Sequence, residues 1–156
     1  NVSAPIVGNL NAAMILGMII GLERFFVRKP AGMRTHSLVA MGSALFVVIS
    51  EVVYQHYGIV GAINFDPLRM AAQIIIGVGF LGAGMIMLQN NKLVGLTTAS
   101  GLWVSAGIGI ACGFGMYSIA AIATVLVLII FTLFYFIEVK IRAYEDNHGN
   151  HLEEKE

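Results

Sequence analysis

The chain has 156 residues, 58% of them hydrophobic and only 12% charged, whereas soluble domains carry about 25% charged residues. That leaves too little polar surface for a water-soluble enzyme, and a net charge of zero argues against a basic nucleic-acid surface. From Leu93 to Ile137, 45 consecutive residues contain no Asp, Glu, Lys or Arg, enough helix at about 1.5 Å per residue to cross a hydrocarbon core of about 30 Å roughly twice.

Five apolar segments of about span length follow one another. The first runs over residues 5–22 and ends at Glu23 and Arg24; with no cationic stretch before it, it reads as a span rather than a cleavable signal. The second covers 37–54. A more polar connection leads to Asp66 and Pro67, a residue suited to open a helix, and the third span covers 70–88. Asn90, Asn91, Lys92 and Gly95 interrupt the pattern before the fourth, 96–114. Gly113 and Gly115 mark a reversal into the fifth, 116–137. Residues 138–156 are hydrophilic and are expected to be a short, partly disordered cytoplasmic tail. β-Barrel strands would be about 10 residues of alternating polarity, so the fold class is an all-α membrane protein, a compact bundle of about five transmembrane helices.

Cations are distributed unevenly about these spans. Arg24, Arg28, Lys29, Arg34, Lys92, Lys140, Arg142 and Lys155 fall on one side and Arg69 alone on the other. The positive-inside rule then predicts an extracytoplasmic N-terminus and a cytoplasmic C-terminus.

Helices in lipid associate through close contact, which small residues at four-residue spacing permit. Asn9, Ala13, Gly17 and Gly21 form one such stripe, and Gly101, Ser105, Gly109 and Gly113 another. Both read as intrachain packing first and as a homodimer interface second. Gly77, Gly79, Gly82 and Gly84 formally match a dinucleotide-binding glycine pattern. That motif needs a preceding strand and space for phosphate, so a close-packed, kinked helix is expected here. Cys112, in an apolar and glycine-rich stretch, reads as a small buried residue.

Polar groups in or at the ends of spans are costly, and so are functional candidates. They are Asn9 and Asn11 in the first span, Glu23 and Arg24 at its end, Arg34 before the second, Arg69 and Gln73 one turn apart in the third, and Thr97, Thr98, Ser100 and Ser105 in the fourth. Against each stands a plainer reading: an interfacial ion pair for Glu23, headgroup anchoring for Arg28 and Lys29, backbone hydrogen bonds for Ser and Thr. A Mg²⁺ site wants oxygen ligands, yet Glu23 is assigned to one side and Glu51 and Asp66 to the other. His148 and His151 have ligand-like spacing without a partner cluster. The metal ligands therefore stay unknown, no cofactor is expected, and Mg²⁺ enters only as a ligand or substrate. No nucleophile elbow or HExxH motif is present, so no catalytic residue is named and the chain is not read as an enzyme.

The strings GLERFFVRKPAGMRTHSLVAMGSALF (Gly21 to Phe46), RMAAQIIIGVGFLGAG (Arg69 to Gly84) and GLTTASGLWVSAGIGIACG (Gly95 to Gly113) resemble the MgtC/SapB family of bacterial inner-membrane proteins over nearly all of residues 5–137. The resemblance implies a role in adaptation to low magnesium and in virulence. Family members carry the label of Mg²⁺ transporter and are also described as regulators of other membrane proteins, including the ATP synthase. It carries over motif residues Glu23, Arg24, Gly32, Arg34, Thr35, Arg69, Gln73, Thr97, Thr98 and Trp103. Val94 stands where some relatives are basic, and their larger C-terminal domain is not in this sequence. The leading expectation is a non-catalytic regulator or adaptor in magnesium or acid-stress physiology whose partners are membrane lipid and another inner-membrane protein. The alternative is a transporter or channel, which requires Arg69, Gln73, Asn9 and Glu23 to line one wet cavity. A third reading makes Arg24, Arg28 and Arg34 a cradle for anionic lipid.

Overall fold

The computed structural model describes residues 3–57 and 66–153. In chain order it has α1 (Ser3–Phe26), α2 (Met33–Tyr57), α3 (Pro67–Met85), a hairpin of β1 (Met87–Gln89) and β2 (Lys92–Val94), α4 (Leu96–Gly113) and α5 (Tyr117–Glu153). All five helices are long and apolar enough to cross a membrane.

The breaks between helices have identifiable causes. At the end of α1, Lys29 N–H donates to Arg24 C=O (3.0 Å) and Arg28 N–H to Phe25 C=O (3.1 Å). This is a Schellman-type stop, with Arg28 in the left-handed region at φ 54. The same device ends α4, where Gly115 has φ 71 and Met116 N–H reaches Ala111 C=O at 2.8 Å. Asp66 caps α3 by accepting from Leu68 N–H, with Pro67 in the first turn. The third span ends at Met85, not near residue 88 as expected: Asn90 (φ 50) and Asn91 (φ 61) make a two-residue hairpin turn that needs φ > 0 at both positions, which Asn tolerates. Antiparallel pairing of Met87 with Val94 and Gln89 with Lys92 takes those residues out of the helix. At the other end of the chain α5 passes through residue 137, its apolar portion reaching Ile141.

α4 is the central element, the most buried of the five spans, and α1, α2, α3 and α5 surround it. Ala13, Ile20, Ala40, Ala44, Ile108 and Cys112 form one core with Ala120, Val127 and Phe131. Val47, Ile74, Val78, Ala106 and Ile110 form a second between α2, α3 and α4.

The glycines explain how the backbones come this close. A Cβ on Gly109 would lie 2.8 Å from the carbonyl carbon of Ala40, and one on Gly113 would lie 2.7 Å from Val47 Cβ. On α1, a Cβ at Gly17 would meet His36 O at 2.6 Å, and one at Gly21 would meet Gly32 O at 2.6 Å. Both stripes thus face neighbouring helices within this chain. The third-helix glycines differ from the expected close packing. A Cβ at Gly77, Gly79 or Gly84 would have open space, and only Gly82 faces a neighbour, Ala99. The physical reason is position: α3 lies at the edge of the bundle, with Ile76, Phe80 and Leu81 exposed.

Candidate functional site

Helices α1, α2 and α4 bring buried polar side chains together at the end of the bundle that carries Arg24, Lys29 and Arg34. Arg24, the last basic residue of α1, is only 2% exposed. Its Nε donates to Glu23 Oε2, and its guanidinium carbon lies 3.6 Å from the ring centroid of Phe131 on α5. A guanidinium stacked on an aromatic face and paired with a carboxylate is the arrangement in which a buried charge is best compensated.

Phe131 in turn packs over Gly101. A Cβ there would meet Phe131 Cζ at 2.8 Å and His36 Cε1 at 3.2 Å. The missing side chain at Gly101 therefore admits both rings. His36, closing the first turn of α2, is fully buried, and its Nδ1 lies 2.8 Å from Ser105 Oγ. Ser105 Oγ also donates to Gly101 C=O at 2.9 Å. A hydroxyl has a single proton to give, so this relay assigns the Nδ1 proton to His36 and makes Ser105 its acceptor. In the uncharged ring the other nitrogen, Nε2, is then an acceptor. It is a buried side-chain atom without a hydrogen-bond partner among the described residues. The site is thus a contiguous row, Glu23, Arg24, Phe131, Gly101, His36 and Ser105, running from the bundle end into its core, with Thr98 buried on the same helix.

A second polar cluster lies at the opposite end. Asn9 Nδ2 donates to Gly113 C=O at 2.9 Å, and Tyr117 Oη donates to Asn9 Oδ1. One amide therefore ties α1 to the turn between α4 and α5.

The remaining candidates are dispersed. Arg34, Arg69, Gln73 and Thr97 are exposed, and Thr35 and Glu23 are partly buried. Gln73 lies in an outward-facing apolar groove between α2 and α3 lined also by Gly42, Gly77 and Leu81. Ser100 bonds its own backbone at Leu96 C=O. No group of three or more His, Cys, Asp or Glu residues capable of holding a metal occurs among the described residues. The side chains of His148 and His151 lie outside the described residues. The expected arginine cradle is also rearranged, since Arg28 and Arg34 are exposed and the side chain that joins Arg24 in a common cleft is Lys29.

Sequence reasoning passed over His36 and Phe131. A signal for His36 existed: a lone ionisable residue at the start of an apolar span is a candidate by cost alone. Nothing local marked Phe131, one of nine phenylalanines, because its role depends on where α5 crosses α1 and α4.

The chain is 41% identical over 133 residues to an Escherichia coli K12 protein named "Putative magnesium transporter YhiD", covering 85% of this chain and 62% of that one. It is 45% identical over 124 residues to "Protein MgtC" of Salmonella typhimurium LT2 (80% and 50%), and 48% identical over 119 residues to a Haemophilus influenzae protein (75% and 50%). The chain therefore spans between half and 62% of the length of these relatives. No solved structure matches it. The MgtC family model matches residues 10–140, and the chain belongs to the MgtC family.

Proposed function

We propose that the chain is a non-catalytic regulator or adaptor of the bacterial inner membrane, acting in magnesium homeostasis and acid-stress adaptation through contacts with other membrane components. In this reading the N-terminus is extracytoplasmic and the Arg24 end cytoplasmic, as the cation bias requires. The observation that carries it is the separation of the four polar residues a conduit would need in one cavity. Asn9 is held at one end by Gly113 and Tyr117. Glu23 sits at the other end against Arg24. Gln73 opens onto the outer surface of α3, and Arg69 is exposed one turn away. Between the two ends the packing is close, apolar from Ala40 and Ala44 to Ile108 and Cys112, and the His36–Ser105 pair that reaches into it is fully buried.

Transport of Mg²⁺ is the second reading, favoured by the name of the Escherichia coli relative. Purified protein in liposomes loaded with a Mg²⁺-sensitive dye separates the two. The regulator reading predicts influx indistinguishable from empty liposomes, and saturable influx would replace it with transport.

A further inference from the structure

A cleft of about 250 Å³ lies between the C-terminal turn of α1, the start of α4 and the outer part of α5. Its lining mixes Phe131 and Tyr135 with Arg24, Lys29, Thr97 and Glu138. Three features give this cleft a ligand chemistry.

Arg24 is the first. Its side chain is only 3% exposed. Among the described residues its sole hydrogen bond is the one from Nε to Glu23. A guanidinium carries five N–H donors, so the terminal nitrogens have donors left over beside the cleft. Those nitrogens are not enclosed: the one buried side-chain atom without a hydrogen-bond partner among the described residues is His36 Nε2. The free donors of Arg24 therefore open onto the cleft, and the planar fork they present matches the oxygens of a phosphate.

The second feature is how the neighbouring donors are delivered. The turn that stops α1 returns the chain so that Lys29 N–H bonds Arg24 C=O, which places a second cation in the same cleft. Thr97 is the second residue of α4, and the cap residue Gly95 gives that helix no side-chain hydrogen bond. First-turn amides and the positive end of the helix dipole are therefore available next to the Thr97 hydroxyl.

The third feature is Glu138. A carboxylate in the lining disfavours a bare phosphate but suits a ligand that carries an ammonium beside its phosphate. Glu138 also sits at the right depth. At about 1.5 Å per residue it is roughly 32 Å along α5 from Tyr117, one hydrocarbon thickness away and so at headgroup level. Exposed Phe134 and Tyr135 flank it, as aromatic side chains do at a membrane interface.

We propose that this cleft is a headgroup site for an aminophospholipid, a phosphatidylethanolamine of the leaflet facing the Arg24 end. Arg24, Lys29 and Thr97 hold its phosphodiester, and Glu138 holds its ammonium. The site does not depend on whether the chain regulates or conducts.

Native mass spectrometry of the delipidated protein in detergent, titrated with phosphatidylethanolamine, phosphatidylglycerol or inorganic phosphate, tests it. Lys29→Gln and Glu138→Gln change exposed side chains, and circular dichroism checks that both fold. The wild type should bind phosphatidylethanolamine more tightly than phosphatidylglycerol. Lys29→Gln should weaken both lipids by about tenfold, the size of one charge-assisted contact, while Glu138→Gln should remove the preference between them. Equal binding of phosphatidylethanolamine by the wild type and both folded variants would overturn the proposal, as would a wild type that binds the two lipids alike. Inorganic phosphate displacing bound lipid at millimolar concentration would overturn the lipid assignment in favour of a free-phosphate site.

Discussion

Gly109 offers the sharpest test of how the bundle holds together. A Cβ added there would lie 2.8 Å from the carbonyl carbon of Ala40 and 2.9 Å from its Cα. Ordinary contact begins at about 3.4 Å, so α2 and α4 must part by more than about half an ångström, and backbone cannot turn aside as a side chain would. Overpacking of this kind costs about 1–3 kcal/mol. Alanine also returns up to about 1 kcal/mol of helix propensity relative to glycine. A control lies on the same helix: Gly107 is exposed, and a Cβ there would meet nothing within 4 Å. Because the clash at Gly109 is with backbone, the upper part of the overpacking range applies and a net loss of about 1–2 kcal/mol remains. Gly109→Ala should therefore lower the thermal midpoint in detergent by about 2–8 °C, taking 2–4 °C per kcal/mol for a chain of this size. Gly107→Ala should leave it unchanged or raise it. Equal midpoints for the two variants would refute the claim that backbone contact at Ala40 sets the α2–α4 distance.

Three further outcomes follow from single contacts. Arg24→Lys keeps the charge but loses the planar fork and the stacking on Phe131, and should cost about 1–2 kcal/mol in a detergent unfolding titration; an unchanged midpoint would mean that charge alone matters. Asn9→Asp replaces the donor to Gly113 C=O with a carboxylate facing a carbonyl oxygen, and should destabilise more than Asn9→Leu, which removes the polar group; the order of the two midpoints decides. Arg28→Gly relieves a left-handed backbone position that costs about 1–2 kcal/mol for a side-chain-bearing residue. It should stabilise the protein in the same titration, whereas Arg28→Val should destabilise it.

Much of the architecture was legible because the bilayer imposes it. Lengths of apolar sequence, the Asp66–Pro67 start of α3 and the glycine reversal at 113–115 all report rules local to the chain. So does the spacing of Gly17, Gly21, Gly101, Gly109 and Gly113. Which stripe meets which helix is a different matter, because it depends on how elements far apart in sequence cross. Hence Gly77, Gly79 and Gly84, identical in kind to the packed glycines, face open space: α3 is peripheral, and no local pattern says so. Asn90 and Asn91 read as a break, but the strands they join did not show, and the first of them takes Met87 and Leu88 from the residues assigned to the third span.

The candidate site divides the same way. Arg24 stood out as a charge at the end of a span, yet its partners were not readable. The cation–π contact joins residues 107 positions apart in the sequence, and the His36–Ser105 contact joins residues 69 apart. Arg28, Lys29 and Arg34 look interchangeable in sequence; the left-handed turn at Arg28 separates them, sending Lys29 into the cleft beside Arg24.

The regulator reading rests on a bundle closed to water between its two polar ends, and the chain carries its own probe of that closure. Cys112 is the single cysteine, fully buried in the core beside Ala40, Ala44 and Ile108. A membrane-impermeant maleimide applied to either face of protein in liposomes should leave Cys112 unlabelled until denaturant is added. Rapid labelling of the folded protein from one side would mean that a water-filled path reaches the core, and would contradict the account.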